Sequence, residues 1–167
     1  GESIQWWRPP LGGGRLWASD LRWLFQDALS RFTEAGKPVL GICNGFQALV
    51  KSGWLPGPPD TGSRATLTRN ESNQFECRWV WLEPNPKSRC VFTQGLGERI
   101  YCPVAHGEGK FIVRDDSDLD DLASRRQIVL RYVTADGGEP DYPADPNGSM
   151  GHVAGVCNGS GTFMGLM

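Results

Sequence analysis

The sequence predicts one α/β domain. Its 167 residues leave room for one ordinary domain and not comfortably two. Amphipathic helical stretches alternate with short apolar, β-branched runs, the pattern of strands and helices packed in layers. A 39% hydrophobic fraction, supplemented by 22 glycines, can build a core and is not the composition of a disordered tail.

Taken in order, residues 1–10 show no usable helix or strand period and form an unmatched N-terminal segment. Gly12 to Gly14 could suggest a phosphate cradle, but no Lys-Ser/Thr follows, so a tight turn is expected. From Ser19, the residues Leu21, Leu24, Phe25, Ala28, Leu29 and Phe32 recur at three and four and make one stripe of a single amphipathic helix. Ser19 or Asp20 would cap its start, and Gly36 with Pro38 beyond it would stop it. Residues 38–42 are short, apolar and partly β-branched, as in a central buried strand. A second helix runs from Gly45 to Lys51 and ends at Gly53.

Residues 75–82 and 128–133 read as strands, with 109–113 a further candidate. The acids of residues 115–121 open a short helix at its positive end, as a solvated cap. Residues 136–140 and 143–149 are turn material, and 22 glycines with 12 prolines imply long ordered loops. Residues 161–167 read as a strand with nothing after it, which leads to the expectation of a fragment.

Seventeen Lys and Arg against nineteen Asp and Glu give a net charge of −2, so there is no basic field for phosphate backbones and nucleic acid is not expected as a partner. No run approaches the roughly 18 apolar residues of a membrane span, and no signal-peptide layout opens the chain. No membrane association and a soluble, cytoplasmic setting are expected. The five cysteines are odd in number and lack a CxxC pair, which argues against a disulfide framework and against a bound metal, and leaves room for a reactive thiol.

The strongest chemical signal is Gly41-Ile-Cys-Asn-Gly45, set where a strand turns directly into a helix. A nucleophile on such a strained turn crowds the residues two before and two after it, so Gly41 and Gly45 are both expected to be small for steric reasons. Cys43 then sits at a helix N-terminus, where the dipole favours thiolate, and the backbone N–H of Asn44 points to where an oxyanion would develop. A base is needed as well. Only His106 and His152 exist; His106, in a Gly-flanked loop, is expected to expose its imidazole, and His152, at the approach to a strand, to have no role. Neither has a carboxylate two residues later. Trp79 and Trp81 share a strand face with Cys77, as core or subunit-contact packing. The Asn-x-Ser triplets at Asn70, Asn147 and Asn158 are read as chance matches to the glycosylation pattern.

Gly41-Ile-Cys-Asn-Gly-Phe-Gln47 resembles the nucleophile motif of class I glutamine amidotransferases, in the form found in the glutaminase branch of phosphoribosylformylglycinamidine synthases of purine biosynthesis. The segments at residues 67–72 with 75–79, 103–109, 145–149, and 153–158 with 165–167 resemble the same branch in the same order, so the resemblance covers residues 11–167 as a partial amidotransferase domain. It implies a flavodoxin-like α/β fold in which Cys43 attacks the glutamine amide, releases ammonia and leaves a thioester for water to hydrolyse. It further implies that Gln47 holds the glutamine and that His106 and Gly107 wall the same pocket. No cofactor is implied on this chain; ATP and magnesium are implied on a separate synthetase subunit that takes the ammonia, with a small accessory subunit as a further partner.

Two departures stand out. The family's catalytic His and Glu lie in a Pro-His-Pro-Glu segment after Gly-Leu-Met, where this chain ends at Met167, and the loop supplying the second oxyanion donor has no match in residues 1–10. The 167 residues alone are therefore expected to be a poor glutaminase. The elbow by itself leaves a cysteine protease or other thiol hydrolase of similar fold open, as well as a non-catalytic homologue that binds a partner. The other four cysteines are expected to be structural.

Overall fold

The computed structural model describes residues 13–57 and 64–167, so residues 1–10 and Gly12 lie outside it. Helices α1 (Gly13–Trp23) and α2 (Gln26–Glu34) lead into strand β1 (Val39–Ile42) and helix α3 (Asn44–Lys51). Strands β2 (Ala65–Thr68), β3 (Glu76–Pro84), β4 (Ile100–His106) and β5 (Lys110–Val113) precede α4 (Asp116–Ser124), β6 (Ile128–Val133), β7 (Val153–Cys157) and β8 (Phe163–Leu166). The expected α/β class holds. A six-stranded sheet has the order β1-β8-β7-β6-β3-β4, with β2 and β5 forming a separate antiparallel pair. Within the larger sheet β1 and β8 are parallel and the other neighbours antiparallel.

The middle of this sheet is buried on both faces. Ile128, Val153, Val156 and Phe163 pack on one side with Phe46, Val50 and Phe111, while Val129, Leu130, Ala154, Cys157 and Met164 pack on the other with Val80 and Tyr132. Burial on both faces explains why β6 reads as a continuous apolar run rather than an alternating one.

Three local expectations are corrected. The single helix from Ser19 is two helices: the N–H groups of Leu24 and Phe25 both reach the carbonyl of Asp20, at 2.8 and 3.0 Å, and the chain leaves the helix there. Ser19 and Asp20 thus lie inside α1 and cap nothing, and Gly13 and Gly14 begin that helix instead of making a turn. The apolar stripe divides accordingly: Leu21 and Leu29 face the core, while Leu24 and Phe25 are exposed. Second, β1 is not central. It pairs only with β8 among the described residues, so Leu40 and Ile42 face outward, 42% and 60% exposed. Third, the β3 face bearing Cys77 and Trp79 is not core, which removes that one of the two alternatives: both residues are exposed, and the rings of Trp79 and Trp81 stack on Tyr101 of β4 at 5.0 and 4.7 Å. Cys77 is exposed and Cys102 half-buried, whereas Cys90 and Cys157 are core residues; none of the five is in a disulfide.

The acidic helix start is as expected in its cap, Asp115 accepting the N–H of Asp118, but it is not solvated throughout, since Asp118 is buried. Asp118 is also clamped by Arg64 and Arg114, each at 2.8 Å.

Candidate active site

The register of the sheet brings the end of β1, the start of β7, the start of β3 and the end of β4 to one edge, where Cys43, His152, Glu76 and His106 stand. Crevices beyond the carboxyl ends of strands are where α/β folds bind ligands.

Cys43 lies between β1 and α3 with φ 52° and ψ −110°, a left-handed conformation that few side chains adopt. Two backbone hydrogen bonds hold it there: its N–H donates to Leu166 O of β8 at 2.9 Å, and its carbonyl accepts from Gln47 N at 3.1 Å. The latter closes the first turn of α3, so the N–H groups of Asn44, Gly45 and Phe46 precede any intrahelical acceptor and face the negative charge such a site would develop.

Only one of the two elbow glycines is crowded. A Cβ on Gly41 would lie 2.7 Å from the Gly45 carbonyl carbon and from Leu49 Cδ1, so β1 and α3 meet there backbone to backbone. A Cβ on Gly45 would meet nothing within 4 Å, which corrects the expectation that both positions are closed by sterics. The asymmetry arises because the contact is made on Gly41's side of the turn.

Gln47, one helical turn after Cys43, is buried within α3 and donates from Nε2 to Glu108 O at 2.9 Å. That bond joins the elbow helix to the 106–109 loop, so Gln47 comes together with the segment of His106 and Gly107. His106 itself is not exposed as expected. It is 3% accessible, its Nδ1 lies 3.1 Å from Asn70 Oδ1, and its Nε2 is buried with no partner. Burial holds its pKa below the ordinary imidazole value. The expectation failed because the flanking glycines let the loop fold inward: a Cβ on Gly109 would fall 2.5 Å from the His106 ring. Gly107 contributes its carbonyl to Asn70 N at 3.0 Å.

A family model for the CobB/CobQ-like glutamine amidotransferase domain matches residues 7–167. The chain belongs to this family. Phosphoribosylformylglycinamidine synthase subunit PurQ of Treponema denticola is 46% identical over 173 residues, covering 94% of this chain and 64% of that protein. The subunit of the same name from Dehalococcoides mccartyi is 46% identical over 158 residues, covering 94% of this chain and 60% of that protein. The structure of PurLQS from Thermotoga maritima matches with 34% identity and a TM-score of 0.65 over 90% of this chain and 58% of that chain. The chain thus spans about three-fifths of the length of these relatives.

In this amidotransferase domain several polar residues near the elbow side had no role assigned by sequence reasoning. Asn70 and Asn147, read as chance triplets, are 1% and 0% exposed and fasten the 106–109 loop. Their placement in segments shared with the family was the available signal. His152 is paired with Asp145, Nδ1 to Oδ2 at 2.8 Å, a partner seven residues earlier that a search two residues later could not find. This pair lines an open cleft of about 360 Å³ with Glu71, Ser72 and Tyr142, and Cys43 does not line it. The Ser72 hydroxyl, donating at 2.7 Å, and Arg78 hold the Glu76 carboxyl below its ordinary range against the opposing effect of burial. Among the described residues neither imidazole is hydrogen-bonded to Cys43, and no group of three or more His, Cys, Asp or Glu is arranged to hold a metal ion. Nor is any described helix long and apolar enough to cross a membrane.

Proposed function

We propose that this chain carries the nucleophilic part of a glutaminase that serves phosphoribosylformylglycinamidine synthase in purine biosynthesis. The observation that carries the proposal is the elbow: Cys43 at positive φ on the N-terminus of α3, with Gln47 one turn below it tied to the 106–109 loop. The Cys43 thiolate attacks the side-chain carbonyl carbon of glutamine, and the N–H of Asn44 stabilises the oxyanion. As that adduct collapses the C–N bond breaks, the departing nitrogen takes a proton from water and leaves as ammonia, and the resulting hydroxide hydrolyses the thioester to glutamate and regenerates the Cys43 thiolate. Gln47 and the backbone at His106 and Gly107 form the wall that recognises the glutamine. His106 is not the base in this scheme, because Asn70 occupies one ring nitrogen and the other is sealed from solvent.

The identity to PurQ subunits supports the pathway, and the PurLQS name of the Thermotoga maritima structure supports partner subunits: a synthetase that accepts the ammonia and a small accessory subunit. ATP and magnesium belong to that synthetase, and no step on this chain uses them. Such a role is cytoplasmic.

A glutamine analogue carrying a diazoketone in place of the amide tests the proposal. Peptide mass spectrometry should find one adduct, on Cys43, competed by glutamine and absent from Cys43→Ser. Labelling of Cys43 by peptide-based thiol reagents without glutamine competition would transfer the assignment to a thiol hydrolase, and labelling by neither would remove the nucleophile.

A further inference from the structure

We infer that Asn70 is a positioning residue for glutamine recognition, acting through the 106–109 loop on the side-chain amide of Gln47; this deepens the function proposed above and rests on it. Asn70 is 1% exposed and binds three of the loop's four residues. Its N–H donates to Gly107 O at 3.0 Å. Its Nδ2 donates to His106 O at 2.7 Å and to Gln74 O at 2.9 Å. Because both Nδ2 protons go to carbonyls, the orientation of the amide is settled and Oδ1 is the acceptor. Oδ1 takes the N–H of Gly109 at 2.9 Å and faces His106 Nδ1 at 3.1 Å, which places the single proton of the neutral imidazole on Nδ1.

Glu108, the one loop residue Asn70 does not bind, is the one whose carbonyl accepts from Gln47 Nε2 at 2.9 Å. Asn147 supports the far end of the loop, donating to Gly109 O at 2.9 Å and to the Tyr132 hydroxyl at 3.1 Å. The direction of the Glu108 carbonyl is therefore set by bonds on both sides of it, and that carbonyl decides which way the Gln47 amide faces. With Nε2 engaged, Gln47 Oε1 accepts nothing among the described residues. It is the acceptor left for a substrate N–H, and its aim depends on Asn70. Removing one member of a buried hydrogen-bonded network frees the groups that it holds to reorient.

The test measures iodoacetamide alkylation of Cys43 in the whole chain, followed by peptide mass spectrometry to separate it from exposed Cys77, over a range of glutamine concentrations. Wild type, Asn70→Ala, Gln47→Ala and the double variant are compared, with Asn70→Ser giving the same readout should the alanine variant not fold. Asn70→Ala should raise the half-protecting glutamine concentration about tenfold, the loss of one well-placed hydrogen bond. It should leave the alkylation rate without glutamine within about twofold of wild type. The double variant should match Gln47→Ala, since both changes act on one contact. An unchanged midpoint in Asn70→Ala, strictly additive effects, or an equal change in the unprotected rate would overturn the inference while glutamine still protects the wild type. Absence of protection in the wild type overturns the proposed function, and this inference with it.

Discussion

Replacing each elbow glycine by alanine separates the steric role of Gly41 from that of Gly45. At Gly41 the added methyl would sit 2.7 Å from backbone carbon and 2.8 Å from the carbonyl oxygen of Gly45, with Leu49 Cδ1 also at 2.7 Å. A side-chain end can swing aside, but the Gly45 peptide cannot move without lifting α3 from β1. Overpacking of this kind costs about 1–3 kcal/mol, and removing glycine's freedom in the unfolded chain offsets about 0.5–1 kcal/mol. A net loss of about 1 kcal/mol lowers Tm by roughly 2–4 °C for a chain of this size. At Gly45, where a Cβ meets nothing within 4 Å, the same substitution adds a good helix former to the first turn of α3. It should gain about 0.5–1 kcal/mol and raise Tm by about 1–4 °C. Calorimetric melts of both variants at one scan rate decide the matter. A Gly41→Ala melt within 1 °C of wild type, or a Gly45→Ala loss as large as that of Gly41→Ala, refutes the backbone-contact argument (the 1 °C criterion being about half of the shift per kcal/mol).

Two further predictions concern strain and charge. Cys43→Gly relieves a positive-φ side chain worth about 1–3 kcal/mol, less about 0.5–1 kcal/mol for the flexibility glycine adds to the unfolded state, so urea unfolding should show a net gain of about 1 kcal/mol. A lower urea midpoint would show that the turn stores no strain. Hydrogen bonds from Arg114, then Arg64, hold the Asp118 carboxyl down at about 2 from the usual 3.8. A carboxyl depressed on folding stabilises the native state above its unfolded pKa, and that contribution disappears as pH falls from about 4 to about 2. Asp118→Asn should therefore flatten the decline in urea midpoint between pH 5 and pH 2.5; an unchanged slope would assign the acid loss to other carboxyls.

The elements legible in the sequence are those whose cause is local. β6 occupies residues 128–133 as expected because an apolar β-branched run needs no distant information to be recognised, and α3 starts one residue before its expected position. The cap at Asp115 and the elbow at Cys43 were likewise readable, since a cap and a strand-to-helix turn are set by neighbours a few residues apart. Tertiary structure decided the rest. The break after Trp23, and the position of β1 at the edge of the sheet among the described residues, depend on which surfaces other elements cover. The burial of His106 depends on Asn70, thirty-six residues away in sequence, and the pairing of His152 depends on Asp145 across a turn.

The amidotransferase family and the strand-to-helix elbow at Cys43 were thus legible in residues 41–47 and the segments that accompany them in order. What the sequence by itself could not determine was the packing around that elbow. A polar side chain buried in a network takes its role from partners brought together by the fold, and hydropathy and spacing carry no record of them.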